Sequence, residues 1–155
     1  MSTAEQGEQR YERQRAREVA FGASMSGRLR AVVEAVFSRY GEGEVLETPP
    51  ADRVAWVCRE FDDSLCRVSG SALATLALSL LVVTTLAPVF VRRLGGFVRM
   101  PLEDRVRALD LFEKSALAPA LLAIKGLFSV HYYEHPDAAR EVGFDGACMT
   151  SEIEP

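Results

Sequence analysis

Apolar residues recur at helical spacing in successive stretches of this chain, and strand-like alternation is sustained nowhere. Leu29, Val32, Val33, Val36 and Phe37 form the first apolar stripe, and Gly41 supplies a stop. The Gly- and Glu-rich linker from Gly41 to Pro50 reads as a loop whose Thr48-Pro49-Pro50 end caps and opens the next helix. That helix carries Val54, Val57, Phe61, Leu65 and Val68 on one face, with Cys58 beside them as a small core filler. Ser69-Gly70-Ser71 breaks it. Farther on, Gly95-Gly96 marks a turn. Pro101 then starts a helix with Glu103 and Asp104 in its first turn, where the dipole favours them, and with Leu102, Val106, Leu109 and Phe112 facing inward. Pro119 kinks or restarts the helix, Pro136 ends it, and residues 136–141 form one more short turn.

Ala72 to Val91 is different in kind, because its twenty residues carry no charge. Such a length could cross a bilayer core of about 30 Å, and Arg67, Arg92 and Arg93 flank it. Thr75, Ser79, Thr84, Thr85 and Pro88 count against a span. A helix apolar all round is also what the centre of a bundle looks like. The expectation is an all-α fold: one bundle of about six helices over residues 25–148 with this segment as its buried apolar central helix. A polar arm precedes it at 1–24 and an acidic tail follows at 149–155. The alternative is a small membrane-associated protein that uses residues 72–91 as a transmembrane helix.

Composition narrows the function classes. A formal charge of -4 disfavours nucleic acid as a partner, since phosphate binding needs a basic surface. Residues 1–22 mix glutamates with arginines and contain no apolar core segment, so no secretory signal is read and a cytoplasmic location is expected. Cys58 and Cys66 lie about 12 Å apart along one predicted helix, too far to bridge. Together with Cys148 they are expected as free thiols of a reducing compartment.

Candidate chemistry is sparse. His131-Tyr132-Tyr133-Glu134-His135 fits the H-x-x-E-H pattern, in which histidines four apart bind zinc and the glutamate is a base. A zinc hydrolase on His131 and His135 would take its third ligand from Asp137, Glu141, Asp145 or an upstream carboxylate, but Pro136 puts the motif at a helix end. No serine occupies a G-x-S-x-G elbow, and neither G-x-x-x-x-G-K-S nor G-x-G-x-x-G occurs, so no catalytic or cofactor-binding residue is assigned. Lys125, in an otherwise apolar helix, is expected to snorkel to the surface, with a salt bridge as the alternative.

Several of these segments resemble the small helical subunit, or fused helical domain, of flavin-dependent GMC-type oxidoreductases: the gluconate 2-dehydrogenase small-subunit family, with related regions at the front of long-chain fatty alcohol oxidases. The resemblance rests on Arg105, Arg107 and Ser115, on Lys125, on Tyr132-Tyr133, on Val142-Gly143-Phe144-Asp145-Gly146, and on the helix Leu29 to Phe37. It spans roughly residues 26 to 148. Phe144 stands where the family more often has tyrosine, and the twin-arginine signal of exported members is not found. The resemblance implies a non-catalytic accessory subunit that binds and stabilises a large FAD-dependent alcohol or sugar oxidoreductase, with the FAD held by that partner. His131, Tyr132, Tyr133, Gly143, Phe144, Asp145 and Gly146 would then form the partner interface, with the aromatics as anchors.

Overall fold

The structure, a computed structural model, describes residues 25–65, 68–93 and 95–144, and within them the chain is an all-α fold of six helices. The first, α1, covers 25–36 of the described residues and buries Leu29, Ala31, Val32, Val33 and Ala35. The linker after it is more than a loop. Arg39–Tyr40 (β1) pairs antiparallel with Leu46–Glu47 (β2) around a 3-10 turn at Glu42–Glu44. Gly43 has φ +77° there, a left-handed value that glycine adopts without strain. Two residues per strand are too few to show as a sequence alternation.

Helix α2 (Ala51–Leu65) buries Val54, Val57 and Phe61 as its stripe requires. Its described residues run to Leu65, and Val68 is outside the helix and exposed. Ser69 caps α3 (Gly70–Phe90), its hydroxyl accepting from the Ala72 amide at 3.4 Å. Pro101 precedes α4 (Leu102–Glu113), which buries Ala108, Leu109 and Phe112. Ser115 closes that helix, donating to the Phe112 carbonyl at 2.7 Å and accepting from the Leu117 amide at 3.1 Å. Pro119, in the first turn of α5 (Ala118–Glu134), restarts the chain instead of kinking it. The short α6 (Pro136–Glu141) follows directly.

The centre of the bundle is α5, which packs against α2, α3, α4 and α6. Its Leu121, Ile124, Phe128 and Tyr132 meet the core, and Phe61 and Phe128 pack edge to face at 5.3 Å. The expectation that residues 72–91 form the buried central helix is therefore corrected. α3 buries Ser79, Leu80, Val83, Thr84, Ala87 and Pro88, and none of its first nine residues is buried. Leu78, Leu81, Leu86, Val89 and Phe90 are exposed. A helix apolar on every side gives no sign of which side packs, so its burial cannot be read from periodicity.

α1 is tied down by two arginines. Arg28 donates to Thr84 Oγ1 of α3 at 2.9 Å. Arg105 of α4 donates to the Ala31 carbonyl at 3.1 Å and to Glu34 at 3.0 Å.

Candidate functional site

The end of α5 was expected to present aromatic anchors, and the structure splits that set. Tyr132 is a core residue, 9% exposed, stacked on Phe37 at 4.0 Å with the rings 10° from parallel. Its hydroxyl accepts from Arg53 Nη1 at 3.4 Å. Tyr133, one residue on, is 46% exposed and meets the edge of Tyr132 at 5.5 Å. Consecutive helical residues point about 100° apart, so the two tyrosines cannot share one surface. Phe144 is exposed, and Gly143 has φ +77°. The Gly143 amide donates to the Arg140 carbonyl and that of Phe144 to the Ala139 carbonyl, a Schellman cap on α6. Asp145 and Gly146 lie outside the described residues.

Arg53 is the residue that sequence reasoning passed over. It is a buried arginine on α2, and it grips Glu141 of α6 with two bonds, at 2.8 and 2.5 Å. The Glu141 bonds and the Tyr132 hydroxyl hold the guanidinium charged, raising its pKa, and Glu141 is lowered below the usual carboxylate range by the same contact. Arg53 thus pins α5 and α6 to α2. The signal was available: position 53 lies one turn before Val57, on the inward face, where an arginine must find partners.

The histidines do not form a zinc pair. His131 is buried, its Nε2 3.2 Å from Ser64 Oγ and its Nδ1 3.0 Å from Glu134 Oε2. His135 has left the helix for an extended conformation, φ −68° and ψ 128°, so the four-residue spacing no longer places both rings on one face. It turns to Asp52 and Asp137 instead, with one donor atom from each of the three within 4.8 Å of one another. A tetrahedral zinc with bonds near 2.1 Å sets its ligand atoms about 3.4 Å apart. The cluster is thus looser than a formed site, and Glu134, the would-be base, is occupied by His131. Glu141, another third-ligand candidate, is taken by Arg53.

Ser64, His131 and Glu134 do reproduce the hydrogen-bond order of a nucleophile triad. That chemistry also needs N–H donors aimed at the developing oxyanion. Ser64 sits in the last turn of α2, where unpaired carbonyls and the negative end of the helix dipole converge. An oxyanion there would be destabilised, so the relay serves as a clamp between α2 and α5.

Lys125 does not simply snorkel. It pairs with Glu113 of α4 at 2.8 Å, both half-buried. Apart from Lys125 and, at the end of α5, Glu134, the outer faces of α3 and α5 carry no charge. On α3 the exposed positions include Ala74, Leu78, Leu81, Thr85 and Val89, each three or four residues from the next. On α5 they include Leu122, Ala123, Gly126, Val130 and Tyr133. Comparison of the chain with protein-family models, with curated proteins and with solved structures gives no match.

Proposed function

We propose that this chain is a non-catalytic helical accessory subunit that docks a larger protein through the uncharged faces of α3 and α5. The carrying observation is the exposed stripe Ala74–Leu78–Leu81–Thr85–Val89, spaced as a helix-pairing seam, with Leu78 60% and Val89 65% exposed. Leaving such a stripe in water forgoes roughly 1.5–3 kcal/mol for each large side chain that a partner could bury. Tyr133 and Phe144 extend the set of exposed apolar residues toward the chain's last described turn. The sequence resemblance supplies the partner's class, an FAD-dependent oxidoreductase of the GMC type, which would hold the flavin and do the chemistry. Arg105, Ser115, Lys125 and Tyr132, which carry part of that resemblance, all hold the bundle together, as the scaffold of a docking module requires. The test is capture of the tagged chain from native lysate: flavin absorbance and a large co-purifying polypeptide are expected, and a colourless, partner-free eluate would remove this reading.

One observation favours a second reading, association with a membrane. Gly70–Phe90 is long and apolar enough to cross a bilayer, and 33% of its apolar window is buried within the bundle. To span, α3 would have to strip Leu80, Val83 and Ala87 from the core and free Arg28 from Thr84. Flotation of the purified chain with phosphatidylcholine vesicles would favour this reading, and retention in the aqueous fraction would leave the docking proposal standing.

A further inference from the structure

A cleft of about 390 Å³ opens beside the second half of α3, between Arg28 of α1 and the chain that follows the helix. Its volume lies within the usual range of small-molecule sites, roughly 300–1,000 Å³. The lining is chemically two-sided. Val98 and Val89, both exposed, supply apolar wall, whereas Arg28, Arg93 and the Thr85 hydroxyl supply donors, and no acidic residue among the described ones lines it. Arg93 is neutralised by Asp104 at 2.8 Å. Arg28 is held by a neutral group: one guanidinium N–H reaches Thr84 Oγ1 at 2.9 Å, and that hydroxyl is itself committed to the Leu80 carbonyl at 2.8 Å. Arg28 is thus positioned by a hydroxyl, with no carboxylate partner among the described residues. A guanidinium has five N–H donors, so most of its capacity remains for an anion. Gly95 and Gly96 leave the cleft unfilled, for a Cβ built at either would meet nothing within 4 Å.

We infer that this cleft binds a small amphipathic anion, its carboxylate or phosphate head on Arg28 and its apolar body against Val98 and Val89. The cleft shares Thr85 and Val89 with the docking stripe, so binding is read on the isolated chain, where no partner covers that face. The test is a titration of the ¹⁵N-labelled full chain with 2-naphthoate, 2-naphthyl phosphate and neutral 2-naphthol, followed through the amides of Thr85, Gly95 and Gly96. At least one anion should shift these amides saturably, with 2-naphthol weaker by about tenfold or more, the worth of one charge-assisted contact. The stronger of the two anions identifies the head group. Arg28→Lys should retain most of the binding and Arg28→Gln should lose about tenfold. Thr85→Glu, at an exposed helix position that leaves the core untouched, should abolish it by placing a carboxylate at the head site. Equal binding of naphthol and the anions, undiminished binding by the Thr85→Glu variant, or shifts confined to the Leu78–Leu81 face would each overturn the inference.

Discussion

Arg92 and Gly143 perform the same local task with different side chains. In both, the residue after a helix takes a left-handed φ, +54° at Arg92 and +77° at Gly143. Its amide and the next reach back to the last turn: Arg92 to the Val89 carbonyl and Arg93 to the Pro88 carbonyl at 3.0 Å each. A residue with a Cβ is strained by about 1 kcal/mol or more in that conformation. Arg92→Gly is accordingly expected to raise stability by about 1 kcal/mol, a melting shift of about 3 °C for a chain of this size. An unchanged or lower melting temperature would show that the Arg92 side chain contributes more than its backbone costs. Cys58 carries a second residue-scale prediction. Burial pushes its thiol up to about 11, so little thiolate exists near pH 8. Peptide mapping after brief iodoacetamide treatment should find Cys58 unmodified in the folded chain and alkylated in denaturant. The Arg53–Glu141 contact gives a pH dependence. Glu141 has a lowered pKa in the fold, so its contribution is present above the ordinary carboxylate value of 4.5 and is lost as pH falls through the folded value. Exchange protection of the α6 amides should drop as the solution is acidified below that range, and Glu141→Gln should remove the pH dependence.

Elements were legible where one face was apolar and the other was not. The stripes of α1, α2 and α4 could be read directly, since Leu29, Val32, Val33, Val54, Val57, Phe61, Leu109 and Phe112 all reach the core. The proline and serine boundaries, at Ser69, Pro101 and Pro119, also fall at helix starts. Legibility failed for α3, which carries no charge, and for α5, where Lys125 and Glu134 are the only acidic or lysine residues, since apolar residues lie on every side of both. Which helix becomes the hub is then decided by tertiary packing, and α5 wins because α2, α4 and α6 meet it as well as α3. The same ambiguity hid the difference between Tyr132 and Tyr133. Tyr132→Ala should cost about 3–5 kcal/mol, losing a packed aromatic together with the hydroxyl that Arg53 uses. Tyr133→Ala should cost no more than about 0.5 kcal/mol, as at other exposed positions. Urea denaturation of the two variants separates them, and equal costs would contradict the assignment. The H-x-x-E-H spacing fails for a reason that the sequence does show: Pro136, read there as the helix end, turns His135 out of the helix.

At the scale of the fold, the six helices of the described residues enclose a core beneath α5 and leave the uncharged side of α3 to solvent. The arginine ties at Arg28, Arg53 and Arg105 are the main polar braces between helices, and they hold that side in place without covering it. Under the docking proposal, a larger protein covers that side. Leu78→Glu combined with Leu81→Glu tests this most directly, because both positions are exposed and a charge there costs the isolated fold little. Tagged wild-type and doubly substituted chains, matched for helicity and melting temperature, would be recovered from the same native lysate and compared for bound flavin and large-subunit protein. Both are expected to accompany the wild-type chain, and the substituted chain to lose most of each. Equal recovery by the two chains, or none by either, would contradict it.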